Sequence, residues 1–347
     1  METLRLVLSA SDLQSDVSQS SLKRAAAILR EGGTVAFPTE TVYGLGANAL
    51  NADAVAAIFH AKQRPRWDPL IVHVADEEML GRVVASLPEA ANLLRAKFWP
   101  GPLTLLVPKS PSVPPLVTAG RDRIGVRMPS HPVALELIRL AGVPIAAPSA
   151  NSFGHTSPTT AQHVLDDLAG RIDAVIDSGE TAHGLESTVV DAVEDPPLIY
   201  RPGVITLEKI REICSGARLY EAPARPENND EESMPAPGVG LRHYAPRAKL
   251  ILLEGQQLQP EFATLVSLHL ARGERVGVML PDGFPWANSA VVVYRWGLWS
   301  NQEELAHRLF AGLRELDAAN VSVIVCPLPE SIGIGTAIRD RLLKAAK

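Results

Sequence analysis

Cysteine is scarce in this 347-residue sequence. Cys214 and Cys326 are far apart and form no CxxC pair, so neither a disulfide framework nor a cysteine-rich zinc site is expected. No apolar run approaches the length of a membrane span, and the first residues lack the apolar core of a signal peptide. We therefore expect a cytoplasmic protein that does not contact a membrane.

Aromatic residues make up only 5% of the chain, and the net charge is -6. Both values argue against a dedicated nucleic-acid-binding protein, because such proteins need cations for phosphates and aromatic rings for stacking. The low aromatic content and the negative net charge are still compatible with a local basic cleft. The sequence also lacks a P-loop, a strand-bound GxGxxG and a GxSxG elbow. His60 and His73 do not have metal-ligand spacing, so no protein-bound metal site is expected.

Composition divides the chain into three parts. Strand and helix patterns alternate up to about residue 215, and they resume near residue 249. Between them, residues 221–247 contain five prolines and the acidic run Asp230-Glu231-Glu232, which favours an extended tether. We predict an α/β domain over 1–220, a linker over 221–248 that closes over the site as a lid, and a smaller α/β domain over 249–347.

Hydrophobic periodicity predicts the individual elements. Predicted strands are 34–37, 70–74, 103–107, 124–128, 144–147, 174–176, 187–191, 198–200, 250–253, 276–280, 291–294 and 321–325. Predicted helices are 21–30, 54–61, 133–140, 161–168, 261–271, 303–318 and 336–346. The first domain should therefore contain a large mixed sheet, although periodicity does not give the strand order.

The segment PTETVYGLG, Pro38 to Gly46, directly follows a predicted strand. Thr39, Glu40 and Thr41 would place two hydroxyls and a carboxylate at the carboxyl end of that strand. Ligands bind at this edge in open α/β sheets. A turn rich in threonine and glycine explains the segment equally well.

Lys62 and Arg64 lie where a predicted helix ends. The apolar stripe Val55, Ile58, Phe59 continues to Lys62 at helical spacing, so this lysine faces the core. Two such cations suit a triphosphate. The alternative is a cationic cap that complements the helix dipole.

Arg127 lies in the apolar strand pattern RIGVRM and therefore requires an anionic partner, since an unpaired buried charge is costly. A substrate carboxylate and a structural salt bridge satisfy this requirement equally. Similarly, Arg201 follows the apolar LIY, where a surface arginine is the alternative to a binding role.

The loop from Ala147 to Thr160 is rich in short polar side chains and ends at a predicted helix N-terminus. Such a loop suits an anion or a nucleotide. Turn formation together with a helix N-cap at Thr159 or Thr160 accounts for the same residues. Glu186-Ser187-Thr188, which opens a later strand, is a further polar segment.

Taken in order, these segments resemble the YrdC-like domain. The similarity extends from about Thr34 to Gly203, through PTETVYGLG, KQRP, PLIVHV, FWPGPLTLLVPKS, RIGVRMPSHP and VPIAAPSAN. The tail resembles the extra domain of long-form threonylcarbamoyl-AMP synthases, and Gly240 to Pro246 (GLRHYAP) resembles the end of their linker. The resemblance implies a YrdC-like twisted mixed sheet with a positively lined cavity, plus a second, smaller Rossmann-like α/β domain.

The resemblance also implies site residues. Lys62 and Arg64 match the KxR motif, which is catalytic and binds ATP, and Ser149 and Asn151 match the SxN motif, which binds ATP. Threonine or its carbamate would contact Thr39, His73, Arg127 and Ser187. The remaining nucleotide contacts would be Thr118, Ser157 and Arg201. Tyr244 would lie over the nucleotide if the linker closes as a lid, whereas docking of this segment on a domain surface explains its aromatic and cationic residues at least as well.

The function that follows from the resemblance is synthesis of threonylcarbamoyl-AMP and pyrophosphate from L-threonine, bicarbonate and ATP with Mg²⁺. The product is the activated intermediate for modifying adenosine next to the tRNA anticodon. Expected partners are a downstream tRNA-modifying transferase complex and, weakly, tRNA itself. Two alternatives are an RNA-binding module with a cationic cavity and a carbamoyl-transfer enzyme of the hydrogenase-maturation type. The second carries CxxC zinc fingers, which this sequence lacks.

Overall fold

The computed structural model describes residues 2–221, 234–236, 238, 243–254, 258–286 and 288–347. Most of the predicted linker, and Gly240 to Arg242 of GLRHYAP, lie outside the described residues. The chain forms two compact units. The first consists of Met1–Phe153, Pro158–Ala182 and Glu186–Gly240, and the second of Gly154–Ser157, His183–Leu185 and Leu241–Lys347.

The first unit is an α/β structure. Its strands are β1 (Leu4–Val7), β2 (Val35–Phe37), β3 (Gly44–Asn48), β4 (Ile71–His73), β5 (Leu103–Pro108), β6 (Arg123–Arg127), β7 (Ile145–Ala146), β8 (Ala174–Asp177), β9 (Thr188–Asp191), β10 (Leu198–Arg201) and β11 (Arg218–Leu219). Its helices are α1 (Asp16–Arg30), α2 (Ala52–Lys62), α3 (Glu77–Val83), α4 (Glu89–Phe98), α5 (Pro132–Ala141), α6 (Ala161–Leu168) and α7 (Leu207–Arg211). A short 3₁₀ helix spans Pro115–Thr118.

The strands form an 11-stranded sheet in the order β1-β8-β2-β3-β7-β4-β6-β5-β9-β10-β11. The sheet contains parallel pairs such as β4 with β6 and antiparallel pairs such as β5 with β6, so the predicted large mixed sheet is confirmed. Its central strands are buried on both faces because helices cover them, as their near-continuous apolar sequences indicate. The predicted stripe of α1, from Leu22 to Leu29, belongs to this core.

Six elements of the first unit were not predicted from the sequence, namely β1, β3, α3, α4, α7 and β11, nor was the 3₁₀ helix. β3 contains Gly44 and Gly46, which have low strand propensity, and it lies in the segment that was interpreted as a turn. It is a strand because β2 and β7 both pair with it and satisfy its backbone groups on each side.

The second unit contains a smaller α/β fold. Its elements are β12 (Lys249–Leu253), α8 (Leu258–Ala271), β13 (Val276–Pro281), β14 (Val292–Gly297), α9 (Gln302–Ala318), β15 (Val323–Pro327) and α10 (Ile334–Ala345). The four strands pair in parallel in the order β12-β15-β13-β14. Alternation of parallel strands and helices agrees with the predicted Rossmann-like fold. Within the described ranges, no helix is long and apolar enough to cross a membrane.

Candidate active site

The predicted site residues of the first unit lie at the ends of neighbouring strands. His73, Arg127 and Arg201 are the last residues of β4, β6 and β10, and Ser187 directly precedes β9. β4 and β6 are adjacent parallel strands whose register aligns His73 with Arg127. Functional residues at strand ends are the arrangement expected of an open α/β sheet.

Arg127 is buried, and its guanidinium binds three groups. Nη2 lies 2.7 Å from Glu40 Oε1, Nη1 donates to Thr41 Oγ1 at 3.0 Å, and Nε donates to the Gly101 carbonyl at 3.2 Å. The predicted anionic partner is therefore present within the protein as a structural salt bridge. Within the described residues, Nε and Nη1 each have a hydrogen-bond acceptor and Nη2 has an ion-pair partner, which leaves one N–H on Nη1 and one on Nη2 for a ligand.

Burial alone would raise the pKa of Glu40, but the charge and hydrogen bonding of Arg127 lower it below its ordinary value. The carboxylate therefore stays ionised at neutral pH and balances the buried guanidinium.

A chain of hydroxyl groups connects Arg127 to Thr39. Thr41 Oγ1 accepts from Arg127 and lies 2.8 Å from Thr39 Oγ1, which in turn donates to the Val42 carbonyl at 2.7 Å. The segment after β2 therefore forms the predicted threonine-rich turn and also supports the arginine.

His73 is a neutral, buried imidazole. Its ring meets Phe37 edge to face at 6.2 Å, and burial lowers its pKa to about 3, with the charge of Arg127 as the next cause. In the described part of the chain, Nδ1 has no hydrogen-bond partner. An unsatisfied buried polar atom beside Arg127 is a suitable contact for a polar ligand.

Lys62 is the last residue of α2 and is 1% exposed, which confirms that it faces the core. Its Nζ donates to the Ser149 carbonyl at 2.6 Å and to the Asn151 carbonyl. The KxR and SxN segments are thus in direct contact, and the lysine does not cap its own helix. Among the described residues these two carbonyls are its acceptors, so its third N–H remains for a ligand.

Arg64 lies two residues further on and binds the turn that follows. Its Nη2 lies 2.9 Å from Asp68 Oδ2, and the guanidinium also donates to the carbonyls of Asp68 and Pro69. The guanidinium carbon lies 5.9 Å from the centre of the Phe153 ring. These contacts fix the orientation of the planar guanidinium of Arg64, which lies two residues after Lys62 in the sequence.

Ser187 and Arg201 form a third cluster. Ser187 Oγ is 2.7 Å from Thr104 Oγ1 and accepts from Arg201 Nη2 at 3.1 Å. Nε and Nη2 of Arg201 both donate to the Ser187 carbonyl. Arg201 is 5% exposed, so the surface-arginine alternative is wrong.

Thr118 ends the 3₁₀ helix and is buried, with Oγ1 donating to the Arg121 carbonyl at 2.7 Å. The preceding Val117 carbonyl accepts from the amide of Leu70 at 2.8 Å. Thr118 is thereby tied to the segment that follows Arg64.

Ser157 and Tyr244 belong to the second unit, whereas the other predicted site residues belong to the first. Ser157 is fully buried. Tyr244 is buried with φ at 66° and stacks on Phe310 at 5.7 Å, while the Arg341 guanidinium lies 5.2 Å from its ring.

The described residues of the predicted linker bind the first unit. The amide of Met234 donates to the Trp67 carbonyl at 2.9 Å. Ala236 is fully buried in a cluster with Leu106 and Val189. Because side chains alternate along a strand, Leu106 shares a face of the sheet with Thr104. This part of the linker therefore lies on the sheet face that carries Thr104.

The predicted site residues leave out several residues that contact them, among them Glu40, Thr41, Asp68 and Thr104. The first two lie in a motif recognised as polar, and the i, i+4 spacing of Arg64 and Asp68 was a usable signal. Nothing in the sequence distinguishes Thr104 from an ordinary threonine in an apolar strand.

Two family models match this chain. A family model described as "Telomere recombination" matches residues 27–203, and one described as "Threonylcarbamoyl-AMP synthase, C-terminal domain" matches residues 205–347. The threonylcarbamoyl-AMP synthase of Pyrococcus abyssi is 44% identical over 332 residues, 95% of each chain. That of Bacillus subtilis is 43% identical over 349 residues, 100% of this chain and 98% of its own.

The chain belongs to the threonylcarbamoyl-AMP synthase family. Its relatives in this family are enzymes, and the resemblance inferred from the motifs is confirmed. The structure of P. abyssi Sua5 complexed with L-threonine matches with a TM-score of 0.89 at 41% identity, covering 100% of this chain and 98% of that one. Another family member, from Mycobacterium tuberculosis and named as a putative threonylcarbamoyl-AMP synthase, is 38% identical over 189 residues, 54% of this chain and 87% of its own.

Proposed function

We propose that this chain is an L-threonylcarbamoyladenylate synthase, a nucleotidyltransferase that converts L-threonine, bicarbonate and ATP into threonylcarbamoyl-AMP and pyrophosphate. The observation that supports it most is the environment of Arg127. In the described part of the chain, this buried guanidinium keeps two N–H groups without an acceptor beside a neutral imidazole, at the strand ends where ligands of α/β sheets bind. A family relative, P. abyssi Sua5, binds L-threonine.

The threonine end of the site would be built around Arg127. Its two remaining N–H groups suit the substrate carboxylate, which guanidinium groups bind as a planar fork. Thr39, Ser187 and His73 supply hydroxyl and imidazole groups for the substrate hydroxyl and for the carbamate. A neutral His73 can bind a carbamate through one N–H without adding a second cation beside Arg127.

The nucleotide end would be built around the KxR and SxN segments. The substrate amine adds to CO2 derived from bicarbonate and forms an N-carboxy anion. An oxygen of that anion then attacks the α-phosphorus of ATP, and the bond to the leaving pyrophosphate breaks. Lys62 and Arg64 would stabilise the charge on the phosphate oxygens, so catalysis rests on positioning and electrostatics. Ser149, Asn151, Thr118, Ser157, Arg201 and Tyr244 would complete the ATP site.

Mg²⁺ enters this proposal as part of the substrate, because it travels with ATP and bridges phosphate oxygens. Glu40 and Asp68, two carboxylates that contact the proposed binding groups, are each paired with an arginine. The protein's contribution is therefore cationic, and the ion would be held by the nucleotide.

The product is a mixed anhydride of a carbamate and a phosphate, which is reactive toward amines. It would pass in the cytoplasm to a tRNA-modifying transferase complex that attaches the threonylcarbamoyl group to adenosine beside the anticodon, with at most weak contact between this chain and tRNA. An anhydride of this kind needs protection from water, which is the role proposed for the linker as a lid.

Pyrophosphate release from ATP tests the proposal. The purified protein is given each amino acid in turn, with and without bicarbonate. Release should require threonine and bicarbonate together, and serine should substitute weakly, because one missing methyl group costs about 1–3 kcal/mol. Equal release with valine would disprove the substrate, and release without bicarbonate would disprove the carbamate step.

A further inference from the structure

Helix α9 presents a face that its own domain does not use for its core. Leu305, Leu309, Leu313 and Leu316 form its buried apolar side. His307, Phe310 and Arg314 lie on another face, since their spacing is i, i+3, i+7. That face contacts three segments of the second unit which lie outside the β12–α10 fold: 154–157, 183–185 and Tyr244.

Arg314 holds the first of these segments by its backbone. Its Nη2 donates to the Thr156 carbonyl at 2.5 Å, and its Nε donates to the Ser157 carbonyl at 3.4 Å. Both residues are buried, at 3% and 0% exposure, so their carbonyls need partners. A guanidinium that spans two successive carbonyls fixes the direction of the backbone, and therefore of the Ser157 side chain.

The second segment touches α9 two helical turns earlier. Gly184 has φ at +69°, and a Cβ built there would lie 2.3 Å from the His307 carbonyl oxygen. Glycine is required for this close approach and this backbone conformation. Each of the two segments precedes a predicted site serine: Gly184 lies three residues before Ser187, and Gly154 lies three residues before Ser157.

The third segment is the end of the linker. Tyr244 stacks on Phe310, and the amide of the next residue, Ala245, donates to the Gly154 carbonyl at 2.8 Å. The segment 154–157 is thus held from one side by the linker and from another by Arg314.

We propose that Arg314 is a positioning residue for nucleotide binding. By holding the carbonyls of Thr156 and Ser157 it orients the Ser157 segment, so the C-terminal half of the chain tunes ATP affinity through a residue that acts on the backbone. This inference rests on the proposed function, in which Ser157 contacts ATP.

The test uses the full-length chain with Arg314→Met, which keeps the aliphatic stem but removes the donors, and with Arg314→Lys as the conservative variant. Arg308→Met is the matched control, since Arg308 lies on the same helix and binds Tyr294 and Glu304. Steady-state pyrophosphate release gives KM for ATP, KM for threonine and kcat. Hydrogen exchange of peptides covering 150–160 reports on the segment without requiring activity.

Arg314→Met should raise KM for ATP about tenfold, the loss expected of one charge-assisted hydrogen bond, while kcat and KM for threonine stay within about twofold. The same variant should speed exchange in 150–160, Arg314→Lys should recover part of both effects, and Arg308→Met should match the wild type. An unchanged KM for ATP, or parallel losses for both substrates together with a lower Tm, would overturn the proposal.

If Arg314→Met does not fold, Arg314→Gln takes its place under the same criteria. The wild-type protein supplies a second measurement: ATP should slow exchange in 150–160, and no such protection would also overturn the inference. A wild-type protein that releases no pyrophosphate with threonine and bicarbonate instead contradicts the proposed function, and exchange with ATP still decides the role of the segment.

Discussion

Lys62 and Arg127 are both buried cations at the candidate site, but their neighbours differ. Arg127 is balanced by Glu40 at 2.7 Å, whereas Lys62 donates to the backbone carbonyls of Ser149 and Asn151. Burial lowers the pKa of Lys62 well below its ordinary value, and the charge of Arg64 lowers it further. A phosphate that approaches Lys62 would raise this pKa again, because an opposite charge favours the ammonium form.

ATP should bind more weakly as pH rises through the lowered pKa of Lys62, because the ammonium form that binds phosphate is lost there. Calorimetric titrations of ATP across a range of pH measure this change in affinity. Lys62→Met should remove this pH dependence and weaken binding about tenfold or more. A wild-type affinity for ATP that does not vary with pH would contradict this.

Two substitutions of Arg64 should separate its effect on turnover from its effect on thermal stability. Arg64→Lys keeps a positive charge beside the buried Asp68 but loses the planar fork, so kcat should fall about a hundredfold while Tm changes little. Arg64→Ala should lose turnover equally and also lower Tm, because Asp68 is left without its counter-charge. The checks are pyrophosphate release and thermal melts. Full activity in either variant would rule out a catalytic role.

At the level of elements, the turn between β2 and β3 supports the end of β6. Glu40 and Thr41 come from that turn and together hold two of the three guanidinium nitrogens of Arg127. The turn and the strand end are separate in the chain, and the order of strands in the sheet brings them together. The salt bridge and the proposed binding role of Arg127 therefore coexist, although the sequence presented them as alternatives.

Glu40→Gln should leave the buried Arg127 without a counter-charge and destabilise the protein by about 3 kcal/mol at pH 7. Threonine should restore part of this loss, because its carboxylate can replace the missing negative charge. Thermal melts with and without threonine measure both effects, and D-glucose at the same concentration serves as a control. Equal stabilisation of wild type and variant by threonine would argue that Arg127 does not bind the carboxylate.

The stability that the Glu40–Arg127 ion pair contributes should depend on pH in a defined direction. The pKa of Glu40 is lowered in the folded state, so its contribution is complete above the ordinary carboxyl pKa and is lost as pH falls through the lowered value. Glu40→Gln should therefore lose less stability than the wild type on acidification through that window. Denaturant titrations across acidic pH check this, and parallel curves for the two proteins would contradict it.

At the level of the whole molecule, the division into two units does not follow the chain. Segments 154–157 and 183–185 lie within the stretch matched by the first family model, yet they belong to the second unit. The last strand of the large sheet, β11, ends at Leu219. A chain cut at the predicted boundary, residue 220, would therefore keep the whole large sheet but lose α9, the helix that holds those two segments.

A chain ending at Tyr220 should fold, since every strand of the large sheet is retained and one family model covers residues 27–203 within it. Without α9 to hold the Thr156 and Ser157 carbonyls, its KM for ATP should rise about tenfold or more. Circular dichroism checks folding, and pyrophosphate release gives the kinetic constants. A truncated chain with the wild-type KM would show that the C-terminal half does not support the nucleotide site.

Local sequence patterns were sufficient to predict several features of the structure. The spacing of Val55, Ile58 and Phe59 predicted that Lys62 faces the core, and the apolar neighbours of Arg127 predicted that it needs an anion. Each inference depends only on residues within a few positions, which helix and strand geometry relate directly. The family and its Rossmann-like tail were instead recognised from the order of several motifs along the chain, which a sequence also contains.

Tertiary structure alone decided which residues meet. Thr41 and Arg127 are 86 residues apart, and Lys62 and Asn151 are 89 apart, so their contacts depend on a strand order that hydrophobic periodicity does not contain. β3 is a strand despite its glycines because β2 and β7 satisfy its backbone. Arg314 reaches Ser157 because packing against α9, rather than chain order, places segment 154–157 in the second unit.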